Sequence, residues 1–284
     1  MNYKEGYWNT FNETSIWVRE WIPDNPPDLI ILMIHGLGEH SGRYEQWAER
    51  FVEEGIAFIA PDLRGHGKSP GSRGHVSSFS FFLKDISYIS QNIRNKFQDI
   101  PIIIYGHSLG ANIALNYVIK NNCEFEGTIA SSPWLKLTNA LSGLEVMLAR
   151  ICSKIIPRCR IGNRIKPSYL TRDATILNDI KENNLIYPKI SFKLLYQAYI
   201  SGIFASTSIY KINCPMLLMH GEADKVTSFK ASNDFVQNAG NFTRFVTFKD
   251  GHHELHNDII KDDVFKTVIQ WIKENFTIKA ESSK

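Results

Sequence analysis

An apolar run of strand length, Ile102-Ile103-Ile104-Tyr105, ends in Gly106-His107-Ser108-Leu109-Gly110 and passes at once into the apolar helical pattern Ala111-Asn112-Ile113-Ala114-Leu115. A strand that turns straight into a helix holds its apex residue in a strained backbone conformation, clear of its neighbours and above a helix N-terminus. Glycines on either side remove side chains where strand and helix would collide. Ser108 is therefore a candidate nucleophile, and this junction demands a sheet with helices packed on it. A serine hydroxyl is a poor nucleophile at neutral pH, so it needs a base within hydrogen-bond reach and a group that orients the base. The rest of the chain is read for those partners.

Buried-strand patterns recur on both sides of the junction. Two short strands are expected over 7–11 and 15–22, the second alternating apolar and polar residues. Leu29 to Ile34 and Ile56 to Ala60 are apolar throughout, as strands covered on both faces are. Further strands are expected at 101–105, 125–131, 214–220 and 242–248. Helical patterns fall near 43–54, 79–97, 109–120, 228–239 and 258–276. This alternation predicts an α/β fold with a mostly parallel central sheet and helices on both faces. The rhythm breaks at Pro133-Trp134. From 134 to 210 the pattern is helical with no convincing buried strand, so the expected organisation is a core of 1–133 and 211–284 with a helical cap insertion at 134–210.

In a sheet of this kind, catalytic groups collect outside the carboxyl ends of the strands. That favours two loops among those holding the chain's nine histidines. After the strand at 214–220 comes Gly221-Glu222-Ala223-Asp224-Lys225, where Glu222 and Asp224 compete for the acid role. After the strand at 242–248 comes Asp250-Gly251-His252-His253-Glu254-Leu255-His256, where three histidines compete. The resulting order is serine, acid, histidine. An oxyanion formed at Ser108 needs preorganised donors. The expected ones are the N–H of Leu109, next to the nucleophile, and that of Leu37 in the glycine-rich turn His35-Gly36-Leu37-Gly38. Asp62 is a further strand-end carboxylate, either a displaced acid or an anchor for its own turn-rich loop, and Arg64 and His66 share the anchoring reading. The histidine cluster has the spacing of none of the zinc patterns, and the four cysteines have no CxxC pairing.

Five segments, in order, resemble the monoacylglycerol lipases and lysophospholipases of the α/β-hydrolase superfamily. They are His35 to Tyr44, Asp62-Leu63-Arg64-Gly65-His66-Gly67-Lys68-Ser69, Gly106 to Gly110, His220 to Thr227, and His253 to Asp258. The resemblance implies a serine esterase that cleaves single-acyl-chain lipids, with Ser108 as nucleophile, Asp224 as acid and His253 as base. Leu37 and Leu109 would supply the oxyanion hole. It also implies no cofactor and no metal. One departure is His252, where the family often has an aromatic residue before the catalytic histidine. Rival readings are a lysophospholipase, a general carboxylesterase and a catalytically silent binding protein on the same fold. Haloalkane dehalogenases, which use an aspartate nucleophile, conflict with Ser108.

Composition narrows the partners. A net charge of +3 over 284 residues is too small to argue for nucleic acid. The N-terminus has no apolar signal-like stretch, no run approaches a membrane span, and the cysteines read as reduced thiols, so a cytoplasmic protein is expected. A Cys152–Cys159 bridge is the alternative. Segment 134–170 holds seven basic residues against the single acid Glu145, on a helical pattern bearing Leu144, Met147, Leu148, Ile151 and Ile155. Two readings stand for this stretch. It is a basic amphipathic helix that settles on anionic lipid surfaces, or a cap helix with its apolar side on the core. Oligomeric state is not legible.

Overall fold

The computed structural model describes residues 1–278. Its sheet is built outward from β3 (Leu29–Ile34), whose six residues are all buried. Ile30, Leu32 and Ile34 join one apolar cluster while Leu29, Ile31 and Met33 join the other, so the strand is covered on both faces. β4 (Ile56–Pro61) and β5 (Ile102–His107) flank it in parallel. Beyond β5 lie β6 (Gly127–Ser131), β9 (Met216–Gly221) and β10 (Thr243–Phe248), again parallel. At the other edge, β1 (Asn2–Asn9) and β2 (Ser15–Ile22) form an antiparallel hairpin that pairs antiparallel with β4. The eight strands run β1-β2-β4-β3-β5-β6-β9-β10.

Helices α1 (Glu45–Glu53) and α9 (Lys261–Asn275) pack on one face through Trp47, Phe51, Val268 and Ile272. Helices α2 (Ser80–Lys96), α3 (Leu109–Lys120) and α8 (Phe229–Gln237) pack on the other through Phe82, Ile89, Ile113, Val118 and Phe235. This is the mostly parallel sheet expected from the sequence. The first strand begins at Asn2 instead of Tyr7, because register with β2 (Asn2 opposite Ile22), and no apolar alternation, extends it along the exposed sheet edge.

Between β6 and β9 the chain leaves the sheet and forms α4 (Gly143–Ile155), α5 (Pro167–Leu170), α6 (Ala174–Glu182) and α7 (Phe192–Ser208). It also forms an antiparallel ribbon of β7 (Arg160–Gly162) and β8 (Lys189–Ser191), within a stretch whose residue pattern carries no sign of a strand. Three residues are too few to display a period of two, and only Ile190 and Ser191 of the ribbon are buried. Helix α4 starts at a capping box: Ser142 Oγ accepts the Glu145 N–H, and the Glu145 carboxylate accepts the Ser142 N–H. Only Ala149 and Ser153 of α4 are buried, and the helix packs through that narrow face on α7. Its apolar side chains turn outward, with Leu144 62% and Ile155 74% exposed.

Candidate active site

Ser108 sits between β5 and α3 with φ 53° and ψ −115°, a left-handed conformation that costs a non-glycine residue about 1–3 kcal/mol. Two close approaches fix the glycines around it. A Cβ on Gly106 would stand 2.5 Å from the Ala111 Cα, and one on Gly110 would run into the Ile34 carbonyl oxygen. The Ser108 N–H donates to the Ser131 carbonyl at 3.0 Å, which ties the apex to the end of β6. Leu109 opens α3, so its N–H belongs to the helix turn that has no intrahelical acceptor.

His253 stands over the serine. Its Nε2 is 3.0 Å from Ser108 Oγ, and its Nδ1 is 2.7 Å from Asp224 Oδ2. Asp224 is held from every side. Oδ1 accepts the N–H groups of Val226 (2.7 Å) and Thr227 (3.0 Å), while Oδ2 also accepts the Thr227 hydroxyl at 2.8 Å. His220 Nε2 lies 3.1 Å from the same oxygen, with its Nδ1 on Ser232 Oγ. Burial alone would raise the Asp224 pKa, but His253 and the His220 hydrogen bond overcome it and hold the carboxyl well below its ordinary value. Burial would lower the His253 pKa, and Asp224 reverses that, leaving it raised. A carboxylate on Nδ1 fixes the tautomer, so Nε2 faces the serine as an acceptor.

The glycine-rich turn closes the opposite side. Leu63 N–H donates to His35 Nε2 at 2.9 Å, which leaves the His35 proton on Nδ1, 2.8 Å from the Gly36 carbonyl that accepts it. Burial pushes the His35 pKa down to about 4, so the ring is neutral. Because the peptide is trans, the Leu37 N–H points opposite to that Gly36 carbonyl. Gly36 N–H is held by Glu39 Oε1, which also accepts the Tyr44 hydroxyl at 2.8 Å. Arg43 bridges Glu39 (2.8 Å) and, through a two-pronged contact at 2.7 and 2.6 Å, Glu254. The turn carrying Leu37 is thus locked to the residue following His253 by buried, fully paired charges. His35, Glu39, Arg43 and Glu254 were not singled out as functional in the sequence. A weak signal was present, since an Arg and two Glu in otherwise buried strand-end loops require partners.

The competing candidates fall elsewhere. Glu222 accepts the Thr247 hydroxyl at 2.8 Å on the surface. His252 gives its N–H to Asp258, and His256 stacks on Tyr44 at 4.5 Å with its pKa pushed by burial to about 4. Asp62 anchors loops: it accepts Ser41 N–H, Ser41 hydroxyl, Arg19 and Lys68 N–H, the span reaching beyond its own turn. Arg64 pairs with Asp85, and the His66 ring faces the Arg64 carbonyl at 3.2 Å. Among the described residues no His/Cys/Asp/Glu group is arranged to hold a metal ion. All four cysteines are free, and the thiol that faces Cys214 is Cys123.

Ser108 and His253 open onto a cavity of about 630 Å³. Gly36, Leu37 and Ser108 line its floor, while Leu141, Leu148, Ile161, Ile180, Ile186 and Leu195 from the 134–210 segment line its walls. A family profile described as "Hydrolase_4: Serine aminopeptidase, S33" matches residues 25–260. The chain belongs to this family of serine hydrolases. Individual proteins are similar to it as well. An uncharacterized abhydrolase domain-containing protein of Dictyostelium discoideum is 34% identical over 93% of this chain, which spans only 28% of that protein. Monoglyceride lipase of Homo sapiens is 28% identical over 91% of this chain and 87% of its own length. The crystal structure of Paleococcus ferrophilus monoacylglycerol lipase superposes with a TM-score of 0.81 at 27% identity, covering 97% of this chain and all (100%) of that one. The hydrolase fold and serine-hydrolase class expected from the sequence are met.

Proposed function

We propose that the chain hydrolyses carboxylic esters of single-acyl-chain lipids, monoacylglycerols foremost, through an acyl-enzyme on Ser108. The observation that carries this reading is the Ser108–His253–Asp224 relay on the floor of an apolar cavity large enough for one acyl chain. His253 Nε2 takes the Ser108 proton as Oγ attacks the ester carbonyl. The N–H groups of Leu37 and Leu109 receive the oxyanion, and Asp224 stabilises the imidazolium. His253 then gives its proton to the departing glycerol oxygen. Water then gives a proton to the same nitrogen and attacks the acyl carbonyl; the acyl–Oγ bond breaks, the fatty acid leaves, and His253 returns the proton to Ser108 Oγ.

Residues 134–210 act as the cap in this reading. The outward apolar face of α4, with exposed Arg150 and Lys154 beside it, rests on the lipid surface from which substrate is drawn. Leu148 is 48% exposed and also lines the cavity, so the docking face and the cavity wall share a side chain. Among the described residues no helix is long and apolar enough to cross a membrane.

A fluorophosphonate probe should label the protein and not Ser108→Ala. A panel of monoacylglycerols, diacylglycerols, lysophospholipids and p-nitrophenyl esters should then show monoacylglycerol preferred. Strong hydrolysis of diacylglycerol would contradict a pocket for one chain. A lysophospholipase reading keeps one specific support, Lys225 in the cavity wall, whose ammonium could meet a phosphate. Equal binding of neutral and anionic vesicles would count against the electrostatic part of docking.

A further inference from the structure

The cap does more than wall the cavity. Its segment around α5 is bonded directly to the loop that carries His253. Asp258, fully buried, accepts the Arg172 guanidinium through Nε at 3.1 and 3.2 Å and through Nη2 at 2.9 Å, and also the Arg172 backbone N–H at 3.0 Å. The same carboxylate accepts the N–H of His252, the residue before His253, at 3.0 Å. Cap carbonyls take the next two amides: Tyr169 receives the His253 N–H at 3.4 Å, and Leu170 the Glu254 N–H at 2.8 Å. Thr171 Oγ1 donates to the Asn257 carbonyl at 2.8 Å. Three consecutive backbone amides centred on His253 are therefore held by the cap or by the carboxylate that the cap's arginine grips.

We propose, on the hydrolase reading above, that Arg172 and Asp258 are positioning residues for His253, so that the cap must be seated before the histidine is held at its working distance from Ser108. Lifting the segment 169–173 off the core removes the acceptors of the His253 and Glu254 amides and frees Asp258 from the arginine that aligns it. The side-chain contacts at stake, 3.0 Å to Ser108 and 2.7 Å to Asp224, tolerate little drift. A misplacement near 1 Å in such a constellation costs about 100-fold in rate. Arginine suits the task because its planar fork fixes direction as well as charge, whereas lysine supplies charge alone.

The test compares Arg172→Ala, Arg172→Lys and Asp258→Asn with the parent in the full chain. On p-nitrophenyl acetate, too short to need the acyl wall, Arg172→Ala and Asp258→Asn should lose about 10- to 100-fold in kcat with KM within about twofold. Fluorophosphonate labelling should slow by the same factor. The acid limb of the pH–rate profile should move down toward the ordinary histidine value, because the Asp224 contact that raises His253 is loosened. The other charged groups near that ring are Glu254, Glu39 and the Arg43 between them, and the neighbouring His107 and His256 have pKa values pushed far down by burial. Arg172→Lys should recover part of the rate. Variants that only melt at lower temperature, with kcat per folded molecule and the acid limb unchanged, would reduce the contact to structural glue and overturn the proposal. If Asp258→Asn does not fold, the two Arg172 variants decide the matter. A parent that fluorophosphonate does not label removes the hydrolase reading and this one with it; a labelled parent with unaltered variants removes this one alone.

Discussion

Helices α3 and α4 are close in length, 12 and 13 residues, and both are rich in apolar side chains, yet they meet opposite surroundings. In α3 every residue from Leu109 to Ile119 is buried, and the helix is wedged between the sheet, α2 and α7. In α4 only Ala149 and Ser153 are buried, and Leu144, Met147, Leu148, Ile151 and Ile155 are between 44% and 74% exposed. Equal apolar content thus marks a rigid floor in one helix and an unsatisfied surface in the other. An apolar side chain facing water gives up about 1.5–3 kcal/mol of burial. A row of five exposed on one helix is the surface that the proposed lipid docking uses. On the proposed function, the comparison separates a part that does chemistry from a part that chooses where the chemistry happens.

The floor is tested most severely at its apex. Ser108→Ala should lower ester hydrolysis by about 10⁴- to 10⁶-fold. The melting temperature should hold, because the elbow backbone depends on Gly106 and Gly110 and not on the hydroxyl. Asp224→Asn comes next, at about 10⁴-fold in kcat, since the amide presents His253 in the wrong tautomer. Its pH profile carries the sign. The parent's active form has neutral His253, so activity rises as pH climbs through a pKa above the ordinary 6.5. The substitution removes the main raising influence, and the acid limb of the residual activity should shift to lower pH. In stability the two partners act oppositely. The raised His253 pKa contributes stability that is lost as pH rises through it, while the lowered Asp224 pKa contributes stability lost as pH falls toward acid. A residual acid limb that stays in place would show that Asp224 is not what tunes His253.

These two sites were readable in the sequence because strand-to-helix geometry admits few residue choices. Gly106 and Gly110 are compelled by close approach, and the carboxyl ends of β9 and β10 point to the two loops whose Asp224 and His253 lie in hydrogen-bond contact with each other. What the residues alone left open was the selection within each loop, Asp224 over Glu222 and His253 over His252. That selection depends on which side chain points inward, a property of the loop and not of its composition. The Glu39–Arg43–Glu254 clamp and the Arg172–Asp258 contact were hidden for a related reason. Glu39 and Arg43 are only four residues apart, but Arg43 and Glu254 lie 211 residues apart and Arg172 and Asp258 86 apart, and nothing local in such a charged loop residue reveals its distant mate. The outward face of α4 was equally hidden, since an i, i+3, i+4 stripe specifies an amphipathic helix without saying what covers the stripe.

A pair of substitutions, one buried and one exposed, sharpens the contrast between the helices. Ile113→Ala in α3 should cost about 2–5 kcal/mol of stability, because a fully buried side chain leaves a cavity. Ile151→Ala in α4, 44% exposed, should stay within about 0.5 kcal/mol. Chemical denaturation of both variants measures this. Comparable losses would mean that α4 is packed in solution as α3 is, and the distinction between floor and docking surface would collapse.

The smallest expected effect is also the one that isolates the docking face from everything else. Met147 and Ile151 are 50% and 44% exposed, and neither lines the cavity, unlike Leu148. Replacing both with Glu should leave the melting temperature and the hydrolysis of soluble p-nitrophenyl acetate within about twofold of the parent. Binding to anionic vesicles should fall by about tenfold per site, the equivalent of about 1.4 kcal/mol of apolar burial given up at the interface. Monoacylglycerol presented in those vesicles should be hydrolysed more slowly in proportion. A double variant that loses the vesicle-borne rate and the soluble rate together would place α4 in the machinery of the reaction. One that loses only the former leaves catalysis to the floor and delivery to the helix above it.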